Sequence, residues 1–131
     1  MKKIVVLLLL MFSTNVLAEW TRVAWNDEMI VYVDIGTIKK KGNKVKIWRL
    51  FDFKSAQISA VDNTSKFLSS LAHNEYECEE ETGRQLDFYW YSGNMKSGDV
   101  VYLLTNINDE ATSIMPESID ETLFKIACGN K

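Results

Sequence analysis

Six cations crowd one short stretch of this 131-residue chain: Lys39, Lys40, Lys41, Lys44, Lys46 and Arg49. Acidic residues outnumber basic ones 18 to 15 overall, so the cluster stands out against an acidic background. Such a patch can engage an acidic protein, a sulfated glycosaminoglycan or anionic lipid headgroups, through an attraction that weakens with salt. A second reading is available: lysines on an edge strand guard it against pairing with other chains. Trp48, Tyr89 and Tyr91, with Tyr102 able to join them, form a candidate aromatic surface. Exposed aromatics of this kind anchor a protein partner, or pack against a second copy of the chain in a homodimer.

The residues that carry catalysis are sparse. His73 is the sole histidine, so a serine or cysteine nucleophile would have to use it as base, and no serine sits in a nucleophile-elbow context. A lone histidine can ligate haem iron, yet nothing else in the sequence marks a haem pocket. Glu75, Glu77, Glu79, Glu80 and Glu81 offer carboxylate oxygens but lack the alternating Asp, Asn and Gly of a calcium loop. No catalytic residue, metal site or cofactor is therefore assigned, and the chain is read as non-enzymatic.

Cys78 and Cys128 are the only cysteines. Neither lies in a Cys-x-x-Cys motif, and no histidines lie nearby to complete a zinc site. The N-terminus decides their redox state. Lys2 and Lys3 precede an apolar run from Ile4 to Phe12, and Val16, Leu17 and Ala18 give a small-residue cleavage signature, so residues 1–18 read as a signal peptide. The run is too short to span a membrane, and no later stretch comes close. Export places the two cysteines where disulfides persist, and one bridge between them is expected.

Cleavage leaves residues 19–131 as one domain of ordinary size. Removal of Lys2 and Lys3 leaves 13 basic and 18 acidic residues, a net charge of −5. That balance argues against a general nucleic-acid binder, which needs a basic surface to neutralise phosphates.

The elements that must position these residues follow from periodicity. Trp20 to Ala24 and Met29 to Val33 read as a hairpin around Asn26, Asp27 and Glu28. Asp34 to Ile38 has a helical-turn composition, and Lys41, Gly42 and Asn43 form a tight turn. From Lys44 to Phe53, Val45, Ile47, Phe51 and Phe53 share the expected core face, against Lys44, Lys46, Trp48, Leu50 and Asp52 on the other. Lys54 to Ser70 loses this periodicity and is read as a mobile connection. In the next strand Tyr76 and Cys78 face inward while Glu75, Glu77 and Glu79 face water. Strands at Arg84 to Tyr91 and Asp99 to Thr105 follow. Ser118, with Glu121 three residues on, starts a helix whose Ile119, Leu123 and Ile126 share a face. The fold class is α+β: an antiparallel sheet of about six strands, one C-terminal helix packed on it, and one disulfide stapling the two.

The order and spacing of these pieces resemble the surface-adhesin protein E family. The resemblance rests on Tyr32, Val33 and Asp34 with Thr37 and Ile38; on Gly42 to Val45 leading to Trp48, Leu50 and Asp52; and on Ser69 and Ser70 before Glu75, Tyr76 and Cys78. Tyr91, Ser92, Gly93, Met95, Gly98 and Val100 continue it, and Pro116, Ser118, Ile119, Leu123 and Cys128 complete it. It implies an antiparallel sheet with a packed helix and a cell-envelope or surface protein that binds host matrix or serum proteins. The function expected is thus an exported binding module of the bacterial cell envelope, with the periplasm as its default location and the cell surface or secretion as the alternatives, and an adhesin is the form the resemblance implies. The alternatives are a periplasmic maintenance or assembly factor and a small-ligand carrier, for instance of haem.

Overall fold

The long apolar alternation around Lys44 to Phe53 becomes the central strand of one continuous sheet. The computed structural model describes residues 19–129, and the signal peptide expected over residues 1–18 lies outside them. Strands β1 (Trp20–Trp25), β2 (Met29–Asp34), β3 (Lys39–Lys41), β4 (Lys44–Ile58), β5 (Lys66–Glu77), β6 (Thr82–Tyr91), β7 (Val100–Leu104) and β8 (Thr112–Ser113) precede one helix, α1 (Ile119–Cys128). The sheet runs β1-β2-β4-β5-β6-β7, every pair antiparallel, with β3 on the edge of β4 and β8 on the edge of β6. The turns are made as their residues dictate. Asn26 Oδ1 accepts from the backbone N–H groups of Glu28 and Met29 at 2.8 and 2.9 Å to close the first hairpin, and Gly42, at φ +62°, supplies the left-handed residue between β3 and β4.

The segment expected to be a mobile connection is mostly strand. β4 continues to Ile58 and β5 begins at Lys66, so only residues 59–65 turn. A bulge between Asp52 and Gln57 shifts the register, which destroys the period-2 signal without ending the strand. The Asx and Ser residues concentrate in the turn itself, where Asp62 Oδ1 accepts from the N–H groups of Thr64 and Ser65, both at 2.9 Å.

Helix α1 starts where the sequence places it: Ser118 Oγ accepts from Glu121 N at 3.1 Å. The Glu121 carboxylate reaches back to the N–H of Glu117 at 3.3 Å, one residue beyond the capping-box partner. Leu123 seats the helix on Val31, Val33, Val45, Ile47, Tyr76 and Cys78, which form the core. The Cys78–Cys128 disulfide closes a sequence separation of 50 residues and ties the last turn of α1 to the end of β5. No helix among the described residues is long and apolar enough to cross a membrane.

Candidate functional site

Residues directly opposite in antiparallel strands share a face of the sheet, so the register assigns every site residue a side. The helix side carries Val45, Ile47, Arg49 and Phe51 of β4 against Tyr76, Asn74, Ala72 and Ser70 of β5. The other, open side is built as rows. Lys41 faces Lys44, and Lys44 faces Glu77; Lys39 faces Lys46, and Lys46 faces Glu75; Trp48 faces His73, and His73 faces Asp87. The next row, from β2 to β7, reads Tyr32, Leu50, Leu71, Tyr89 and Leu103; the last reads Ile30, Asp52, Ser69, Tyr91 and Val100.

Lys39, Lys41, Lys44 and Lys46 therefore form two directly opposed like-charge pairs at one end of the open face, all exposed. Lys40, opposite Val45, is exposed on the helix side. Arg49 does not belong to the patch. Its strand parity turns it to the helix side, where it is 7 % exposed and donates from Nη1 to the Ser70 carbonyl oxygen at 3.0 Å. Its guanidinium carbon sits 3.7 Å over the Phe51 ring. Burial lowers its pKa to about 10, which still leaves it charged at neutral pH. The acidic strand expected to face water is also partly covered, because Glu75, 11 % exposed, pairs with Arg84 Nε at 3.0 Å.

Trp48, Tyr89 and Tyr91 do share the open face, each half-buried. Tyr102 does not join them: it lies opposite Trp90 and clusters with Phe88 and Trp90 on the helix side. Trp48 stacks flat on His73 with ring centroids 4.3 Å apart, and His73 Nδ1 lies 3.4 Å from Asp87. Desolvation beneath the tryptophan is the main cause that holds the His73 pKa below its ordinary value, outweighing Asp87. Below this row, Leu50 is fully buried and Leu71 nearly so, while Leu103 at 45 % exposure leaves an apolar margin. Sequence reasoning missed Tyr32 and Leu103 as members of the face, although Tyr32 alternates with the core residues Val31 and Val33 and so signals it.

The loop after β6 closes the far end of this face. Asp52 Oδ1 accepts from Asn94 Nδ2 at 3.0 Å and from Met95 N at 2.8 Å. Ser69 Oγ donates to the Gly93 carbonyl oxygen at 2.7 Å and accepts from Lys96 N at 3.0 Å. Met95 and Lys96 both adopt positive φ, 52° and 63°, a conformation that non-glycine residues hold only when their surroundings enforce it. The open face is thus bounded by a basic end, an aromatic middle and a pinned loop.

Both cysteines are oxidised, which removes the thiols from nucleophilic chemistry, and no group of three or more metal-ligating side chains assembles among the described residues. What this surface offers is charge and aromatic area.

Comparison with known proteins agrees with the fold. The fold resembles solved structures of protein E from Haemophilus influenzae. One shares 14 % identity at a TM-score of 0.58, covering 88 % of this chain and 87 % of that one, and a second crystal form has TM-score 0.60 at 14 % identity, over 88 % and 91 %. A structure from a non-typeable strain matches at TM-score 0.58 and 15 % identity, over 89 % and 80 %. At such identities the likeness speaks for the fold. No curated protein matches the sequence. The family model for surface-adhesin protein E matches residues 20–129, nearly the whole described domain, and the chain belongs to the surface-adhesin protein E family.

Proposed function

We propose that the protein is an exported adhesin, displayed at the cell surface, and that the open face of its sheet docks an acidic segment of a host matrix or serum protein. Lys39, Lys41, Lys44 and Lys46 supply the charge, and Trp48, Tyr89 and Tyr91 the anchoring area. The observation that carries this reading is the placement of two directly opposed lysine pairs beside the stacked Trp48 on one exposed face. Like charges set opposite each other disfavour the sheet by a few tenths to about 1 kcal/mol per pair; Glu77 and Glu75 offset part of this from β5, and an anionic partner relieves the remainder. An edge guard needs no such pairing, because alternate or single lysines suffice. Tyrosine and tryptophan are among the residues that anchor protein interfaces, and the family match supports a protein partner.

The test is binding of the mature protein to immobilised matrix proteins across a salt series, with poly-glutamate and heparin as competitors. A variant with Lys39, Lys41, Lys44 and Lys46 all changed to Gln is run beside it. Saturable binding that weakens with salt, yields to poly-glutamate and disappears in the variant supports the assignment. Capture by heparin alone would replace the protein partner with a glycosaminoglycan. Binding to no host component, with the protein protected from protease on whole cells, would return the role to the periplasm.

A further inference from the structure

The helix side holds a second feature, independent of the open face. Between α1 and the sheet lies a cleft of about 360 Å³, lined on the sheet by Arg49, Phe51 and Asn74 and on the helix by Ile119, Asp120 and Leu123. This volume is within the range of small-molecule sites, roughly 300–1,000 Å³. Gly83 also lines it, and there only glycine fits, because a Cβ would lie 2.8 Å from the packed Tyr76 ring.

The polar groups in this cleft are left incomplete in a patterned way. Arg49 is buried and forms no ion pair among the described residues. Nη1 donates to Ser70, while Nε has no hydrogen-bond partner. Asn74, 9 % exposed, donates from Nδ2 to the Tyr76 hydroxyl at 3.4 Å, and that hydroxyl donates to Asp120 Oδ1 at 2.5 Å. The amide oxygen of Asn74 has no partner. The wall of one cleft therefore holds a buried unsatisfied cationic donor and a buried unsatisfied neutral acceptor, with a carboxylate at its exposed edge. The counter-charge Arg49 feels is Asp120, which makes no ion pair with it and instead accepts the Tyr76 hydroxyl, so the guanidinium stays buried without a contacting anion, which is costly. Its presence here calls for an anion.

We infer that this cleft binds a small zwitterion of the α-amino-acid class with an apolar side chain. The carboxylate would take the Arg49 Nε hydrogen, the ammonium would donate to Asn74 Oδ1 and face Asp120, and the side chain would lie against Phe51, Ile119 and Leu123. A phosphate dianion fits less well, because Asp120 repels it and Asn74 Oδ1 offers it no donor.

The experiment is an NMR titration of the folded mature protein, following the Arg49 Nε–H and Asn74 side-chain amide resonances. L-leucine is compared with L-leucinamide, which lacks the carboxylate, and with 4-methylpentanoate, which lacks the ammonium. Saturable shifts with L-leucine are expected, with each analogue weaker by at least about tenfold, the value of one charge-assisted hydrogen bond. Arg49→Met should abolish the leucine response while the melting temperature holds or rises. Should that variant fail to fold, Asp120→Asn decides, and it should bring leucine down to the affinity of 4-methylpentanoate. The inference is overturned if leucine gives no saturable shift, if either analogue binds as well as leucine, or if a folded Arg49→Met variant or Asp120→Asn keeps the wild-type affinity.

Discussion

Lys46 and Arg49 stand three residues apart on the same strand, each a cation, and they lead different lives. Lys46 lies on the open face, opposite Lys39 and beside Glu75, where water and salt screen its charge. Arg49, one parity step away, is buried against Phe51 and Ser70 on the helix side. The sheet is a sorting device: a shift of one residue exchanges a screened charge for a desolvated one. The helix side accordingly concentrates stability, with Leu123 and the disulfide closing the core, whereas the open side concentrates exposed charge and half-buried aromatics. For the host partner, substitutions should separate in the same way, the core and disulfide positions of the helix side acting on stability and those of the open side acting on its binding.

The largest effect belongs to the staple. Replacing both Cys78 and Cys128 by Ser removes a bridge spanning 50 residues, for which the chain-entropy account gives about 4 kcal/mol. Urea unfolding should show a loss of that order in the unfolding free energy extrapolated to water, with ligand affinity of the folded fraction unchanged. A loss of binding larger than the loss of folded protein would mean that the open face depends on the position of the helix, and the division between faces would fail.

On the open side, Trp48→Ala removes the ring that stacks on His73. An aromatic anchor at the centre of an interface contributes about 2 kcal/mol or more to binding, so affinity for the host partner should fall at least about thirtyfold. The half-buried position limits the stability loss to about 1–2 kcal/mol. The four-lysine variant should depart from that pattern. It loses salt-sensitive binding while thermal stability holds, because relief of the two lysine pairs offsets the loss of Lys44 opposite Glu77 and Lys46 opposite Glu75. A variant less stable than the parent would show that these lysines serve the fold and not a partner.

The architecture was legible wherever a local rule sufficed. Alternation exposed the strands around Val45 and Leu86, and Ser118 with Glu121 marked the helix start. Two residues placed in exported surroundings gave the bridge. The failures share one physical cause, a bulge or a parity that only the register reveals. The offset between Asp52 and Gln57 hid the second half of β4, and Arg49 was grouped with the lysines by sequence proximity although it shares the parity of Val45 and Ile47. Tyr102 was misassigned because its side depends on its pairing with Trp90. The cleft was beyond reach of any sequence argument, since Asn74 and Asp120 meet only once the helix has docked.

His73 provides the most delicate probe of the open face. Its folded pKa lies below the ordinary 6.5, chiefly through desolvation, so between the folded value and 6.5 the unfolded chain binds more protons than the native one. Stability must then rise with pH across that window and be lost as pH falls from 6.5 toward the folded value. The effect is small, because the imidazole keeps partial access to water. Melting temperatures measured from about pH 5 to pH 7.5 should show a steeper acid-side decline for the parent than for His73→Gln, in which the titrating group is gone. Equal slopes would mean that Asp87 compensates the desolvation and that Trp48 does not seal the ring. Bound partner should steepen the decline, since covering Trp48 desolvates His73 further, and a decline left unchanged by the partner would place its footprint away from Trp48.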